Sequence, residues 1–167
     1  QLTASVEAAT KGLPMSVNLS KGQRISLAKE AGTQLTKIVM GLGWDAKKKG
    51  GLFGLGGSAP EIDLDASVLL FDENKQLLDQ VWFRQLQSKD GSIKHSGDNR
   101  TGAGDGDDEQ IVVQLSSVPP TVKSLVFVVN SFTGQNFSQI ENAFCRLVNA
   151  ANNQEIAKFN LSCQGSY

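Results

Sequence analysis

The chain is poor in the side chains that most catalytic and metal chemistry needs. It has one histidine, His95, and two cysteines, Cys145 and Cys163. The cysteines lie far apart and form no Cys-x-x-Cys or Cys/His spacing, which excludes the common zinc sites and thiol redox motifs. They read as reduced, structural residues of a cytosolic protein. No Gly-x-Ser-x-Gly element offers a nucleophile to His95. No glycine-rich stretch runs into Gly-Lys-Ser or Gly-Lys-Thr, so there is no phosphate loop. Neither sign of charge dominates: 16 Lys and Arg stand against 17 Asp and Glu, for a net charge of −1. That removes the global basic field of a nucleic-acid binder. No apolar run reaches the roughly 18 residues of a membrane-crossing helix. What remains is 167 residues of ordinary make-up, 40% apolar and 20% charged, enough for one domain with a real core.

The pattern that is present is β. Over Leu35–Trp44 the residues Thr36, Ile38, Met40, Leu42 and Trp44 alternate with Leu35, Lys37, Val39, Gly41 and Gly43, which gives one markedly apolar face. Short strands are expected at Ser16–Leu19 and Arg24–Leu27. Glu61–Phe71 and Leu77–Phe83 flank the polar turn Asp72–Gln76 as a hairpin. Ile93–His95 and Ile111–Leu115 follow, then Lys123–Phe132, whose near-continuous apolar run marks a central buried strand. Ala143–Asn149 and Glu155–Ser162 close the chain. One short helix fits over Gly134–Ala143, where Phe137, Ile140 and Phe144 have helical spacing. These elements predict an all-β fold: an antiparallel β-sandwich with a short helix and long acidic and Gly-rich loops. Residues 1–14 end in Gly-Leu-Pro and read as a disordered or appended leader, outside a domain spanning 15–167.

Acidity is local. Asp98–Glu109 holds five carboxylates, three glycines, one base (Arg100) and no large apolar residue. Such a segment buries nothing and must be a loop. Its acids repel one another in any compact form unless a cation intervenes, and a hard divalent ion wants six to eight oxygens in an irregular cage. The interleaved glycines let the backbone turn carbonyls inward. The segment therefore reads as a calcium loop. It is not an EF-hand, because Arg100, Gly102 and Ala103 stand where that motif needs ligands and its glycine. Asp63 and Asp65, two apart in a strand, point to one face and offer a second contribution to the cage. A crowd of similar acids provides no pair in distinct environments, so acid–base catalysis is not expected. The Gly-rich Lys47–Pro60 has three lysines beside Leu52, Phe53 and Leu55, which suits a flexible loop or a membrane contact.

Several segments in order resemble one family, the TerD-type tellurium-resistance proteins. They are Met15–Gly22, Gly41-Leu42-Gly43-Trp44-Asp45, Ile62–Ser67, Asp90-Gly91-Ser92, His95–Glu109, Gly134–Phe137 and Asn142-Ala143-Phe144. The resemblance implies a calcium-binding β-sandwich in the bacterial stress response. Carried over residue by residue, the implied metal ligands are Asp63, Asp65, Asp98, Asn99, Asp105, Asp107, Asp108 and Glu109, with backbone oxygens near Thr101–Gly104, here Thr101 and Gly104. Asp45, Asn136 and Glu141 are further candidates. The expected protein is a non-enzymatic calcium-dependent scaffold or interaction module. It would be cytoplasmic, with other stress-response proteins or the inner membrane surface as partners and no nucleic acid. The alternative is a calcium-dependent membrane-associating module; an enzyme acting on tellurium oxyanions is not expected.

Overall fold

The structure, a computed structural model, describes residues 35–45, 62–97, 106–134 and 140–161, and the backbone alone of three strands before residue 27 and of Glu141. Eleven strands are described: β1 Leu2–Glu7, β2 Val17–Asn18, β3 Arg24–Ser26, β4 Lys37–Asp45, β5 Leu64–Phe71, β6 Leu77–Val81, β7 Ile93–His95, β8 Glu109–Gln114, β9 Ser124–Ser131, β10 Glu141–Asn149 and β11 Gln154–Asn160. They form a five-stranded sheet, β3-β1-β9-β5-β6, and a six-stranded sheet, β2-β11-β10-β4-β8-β7. Neighbours are antiparallel except β1 with β3 and β2 with β11, which are parallel. Of the described pairings only β5–β6, β7–β8 and β10–β11 join strands adjacent in sequence, so the frame depends largely on contacts distant in sequence.

Alternation decides which face each strand buries. Ile38, Met40, Leu42 and Trp44 of β4 point inward, as do Leu64, Ala66, Val68 and Leu70 of β5, Ile111 and Val113 of β8, and Leu125, Phe127 and Val129 of β9. These side chains meet between the sheets in one apolar core. Each fully buried Leu, Ile or Met adds about 1.5–3 kcal/mol relative to exposure. The sandwich and the hairpin β5–β6 are as the sequence predicts.

Two expectations differ. Leu2–Glu7 lies inside the span read as a leader, yet it pairs antiparallel with β9 and parallel with β3. The six residues Leu-Thr-Ala-Ser-Val-Glu do alternate apolar and polar, a signal masked by the turn-like Gly-Leu-Pro that ends the span. The remaining residues of 1–14 lie outside the described ones. The helix over Gly134–Ala143 is not found in the part that is described: Ile140 sits in a bend and β10 begins at Glu141. Residues 135–139 lie outside the described part. The helical spacing has a different origin. The β10–β4 register slips between Glu141 and Phe144, and Asn142 takes φ +51. The slip carries Ile140 and Ala143, three apart, into the same core, so a strand irregularity imitates a helix turn. The one helical element among the described residues is the 3-10 turn Leu115–Ser117, where Leu115 was expected to extend β8.

Candidate functional site

Two acidic segments distant in sequence come together at the end of β4, and Trp44 joins them. Its indole Nε1–H donates to the Ile62 carbonyl at 2.9 Å, next to Asp63. Its backbone N–H donates to Asp108 Oδ2 at 3.0 Å. The Asp108 N–H in turn donates to the Leu42 carbonyl. Asp108 thus continues the β4–β8 pairing with a side-chain oxygen in place of a backbone one. Asp63 is held within its own sheet, by a continuation of the β5–β9 pairing: its N–H donates to Thr133 Oγ1, and its carbonyl accepts from the Phe132 N–H. Asp63 and Asp65 share the outer face of their segment and are 7% and 9% exposed, low for carboxylates.

Asp107 is anchored by a gap in β4. Gly41 pairs with Arg146 of β10 on one side and Gln110 of β8 on the other. A Cβ at Gly41 would lie within 3.0 Å of the Asp107 carboxylate. Glycine is required because the carboxylate occupies that space. Arg146 grips it with a two-pronged contact, Nε to Oδ1 at 2.9 Å and Nη2 to Oδ2 at 3.1 Å. Gln110 Nε2 adds a bond to Oδ2. The Asp107 hydrogen bonds push the Arg146 guanidinium further up from its ordinary range. At Gly43 a Cβ would strike the Gly106 carbonyl and the Phe144 ring. The alternating glycines of β4 are therefore a seat for the incoming loop.

Glu109 turns the opposite way, into the sandwich, and is 1% exposed. Its Oε2 accepts the Ala66 N–H of β5 at 2.9 Å. His95 Nε2 lies 3.1 Å from the Ala66 carbonyl and 3.4 Å from Glu109 Oε2, while His95 Nδ1 accepts the Gly97 N–H. That last bond places the ring proton on Nε2. The β5–β6 pairing begins only at Val68, so Ala66 lacks a strand partner on that side. Glu109 and His95 supply side-chain substitutes for it: one accepts its N–H, the other donates to its C=O. They join the two sheets where β6 departs.

Burial pushes the Asp108 carboxyl up from its ordinary range. Trp44 pulls it down, and the charges of Asp45, Asp107 and Glu109 push it up further. Asp45 itself accepts from Asn142 Nδ2 at 2.8 Å. Among the described residues no group of three or more His, Cys, Asp or Glu is spaced to hold a metal ion. Of the predicted ligands, Asp98, Asn99, Thr101, Gly104 and Asp105 lie outside the described residues, as do Asn136 and the Glu141 side chain. Asp107 and Glu109 are engaged by protein donors as struts. Sequence reading missed Arg146, Gln110, Trp44 and Gly41. Glu109 shares the parity of Ile111 and Val113, which was the available signal that it points inward. The Lys47–Pro60 loop is outside the described residues. The Cys145 thiol, pushed by burial up to about 12, is unsuited to nucleophilic or redox work.

Residues 15–167 match the model of the TerD domain family. The chain is 51% identical over 152 residues to tellurium resistance protein TerZ of Serratia marcescens, covering 90% of this chain and 78% of that protein. It is 47% identical over 158 residues to stress response protein SCP2 of Bacillus subtilis, covering 88% and 78%. A crystal structure of a homologue of telluride resistance protein (TerD) from Streptomyces coelicolor superposes with a TM-score of 0.62 at 20% identity, covering 75% of this chain and 71% of that one, which speaks for the fold alone. The chain belongs to the TerD domain family, the family of the tellurium resistance and stress response proteins it matches.

Proposed function

We propose that this chain is a non-enzymatic, cytoplasmic calcium-binding module of the stress response, working as a scaffold or interaction protein. The observation that supports the reading is that Trp44 ties the two acidic segments together, its backbone N–H bonded to Asp108 and its indole to the carbonyl of the residue before Asp63. The donor chemistry fits a hard cation: the side chains gathered there are carboxylates, with no thiol and with His95 turned to Ala66. Calcium would be held mainly by oxygens from Asp98–Asp105, joined by Asp108 or by Asp63 and Asp65, since these three carboxylates are not spaced to enclose an ion by themselves. Asp107 and Glu109 would brace the site from either side. The ion would relieve the crowding that raises Asp108.

Calorimetric titration of the full chain with calcium tests this. The expected result is saturable binding that is lost in Asp63→Asn with Asp108→Asn. Magnesium, with its stricter octahedral demand, should bind more weakly. An absence of calcium binding by the folded native chain would refute the reading.

A second reading, calcium-dependent membrane association, has one observation in its favour. Phe132, 67% exposed, follows directly on the strand that holds Asp63. Its ring meets Phe83, which meets Trp82, and the Arg84 guanidinium lies over both Trp82 and Phe83. Exposed aromatics with a cation suit a bilayer interface. Among the described residues no helix is long and apolar enough to cross a membrane. Vesicle co-sedimentation with and without calcium, and its loss in Phe132→Ser with Phe83→Ser, tests this reading.

A further inference from the structure

At the end of the β4–β8 pair opposite the acids lies a cleft of about 340 Å³ on the outer face of the six-stranded sheet. Its floor is β8, with Val112 and Gln114. Lys37 of β4 pairs with Gln114, and Lys94 of β7 pairs with Val112, so the two lysines stand on opposite sides of the floor. Two strand spacings across and two residues along β8 set their backbones about 12 Å apart, and both long side chains can reach one ligand between them. Both lysines are exposed, and neither forms an ion pair among the described residues. The one acid in the wall among the described residues, Asp90, is occupied: its Oδ1 accepts from the Ser92 N–H and the Ser88 hydroxyl.

A second, independent feature lies in the same wall. Ser92 is 4% exposed, and its Oγ lies close enough to Asp90 to help hold that carboxyl below its ordinary range, although its geometry falls short of a well-formed hydrogen bond. A buried hydroxyl in a poorly formed bond gains from a better-aligned partner. Rotation about its single side-chain torsion offers it to a ligand. Ser117 adds another hydroxyl at the rim.

We propose that this cleft binds a small oxyanion, held between the Lys37 and Lys94 ammonium groups with the Gln114 amide and the Ser92 hydroxyl beneath. Two ammonium donors converging on one ligand is the chemistry of phosphate recognition, with lysine acting as a point charge. The volume, near the lower end for small-molecule sites, admits an oxyanion alone or the anionic end of a small phosphorylated molecule. The site is separate from the acidic end, so it does not depend on calcium.

The test uses the metal-free full chain and follows backbone amide shifts during titration with inorganic phosphate, and separately with tellurite, at millimolar levels. Expected are saturable shifts centred on Gly91, Ser92 and Gln114. Lys37→Gln with Lys94→Gln should weaken binding by about tenfold or more. Lys75→Asn with Lys123→Gln, an equal change of charge at exposed sites elsewhere, should leave it nearly unchanged. Saturation by phosphate, by tellurite or by both supports the proposal and names the anion. Failure of both anions to bind, or equal weakening in the control pair, overturns it.

Discussion

Removing the Glu109 carboxylate is the sharpest way to test how the acidic end is built. In Glu109→Ala the Ala66 N–H loses its acceptor in a buried place, which costs about 1–3 kcal/mol. His95 Nε2 loses its neighbouring oxygen. The vanished stem leaves a space in a side chain that is 1% exposed, adding roughly 0.8 kcal/mol per lost methylene. Together these give about 2–4 kcal/mol. For a chain of this length the melting temperature should fall by roughly 4–16 °C. Glu109→Gln keeps the shape and one oxygen for Ala66, so it should lose only the charge-assisted part, about 1–2 kcal/mol. Urea unfolding in EDTA measures both without any contribution from metal. If Glu109→Ala costs less than about 1 kcal/mol, or no more than Glu109→Gln, the carboxylate is not joining the sheets and the argument fails.

The other predictions test neighbouring parts of the same end. Gly41→Ala should displace the Asp107 carboxylate and cost about 1–3 kcal/mol, and the loss should shrink when Asp107→Ala is added, as a double-mutant cycle in urea will show. Asp108→Asn should raise the stability of the calcium-free protein at neutral pH by less than about 1 kcal/mol, since solvent partly screens a half-buried group, and should reduce the rise in melting temperature expected with calcium. Burial works against the Asp79 charge, but donors from Lys89, Gln85 and Gln80 outweigh it and hold its carboxyl below the ordinary range. A depressed folded value means its contribution is present above the ordinary carboxylate range and is lost as pH falls through the folded value; Asp79→Asn should flatten that acid limb in a pH series of unfolding curves.

Period-two alternation made most of the strands legible, because a half-buried strand must expose one face and bury the other. It also held the inward turn of Glu109, which a fixed idea of the acids as a single loop obscured. The partners of those acids were not legible. Arg146 lies 39 residues beyond Asp107, and nothing local in either segment names the other. Gly41 and Gly43 take their place in the alternation without naming what covers them, although a glycine facing outward in a central strand marks something lying on it. The error at Ile140–Ala143 had the same root: an irregularity in pairing with β4 is a fact about two strands, and one strand's sequence shows only its spacing.

The distinction between struts and ligands has a consequence for metal removal. Asp108 sits between two residues fixed by protein contacts, Asp107 by Arg146 and Gly41, Glu109 by Ala66 and His95. Its own backbone is tied to Leu42. None of these bonds needs a cation, so the acids would be gathered before calcium arrives and repel each other until it does. Calcium should then act as an added ligand of a formed fold, worth about 2.7 kcal/mol at 100 times its dissociation constant. EDTA should lower the melting temperature while the far-ultraviolet strand signal at room temperature stays as it is. Loss of that signal on chelation would mean that the metal holds the sheets together, and that the bonds to Arg146, Ala66 and Trp44 are too weak to do so alone.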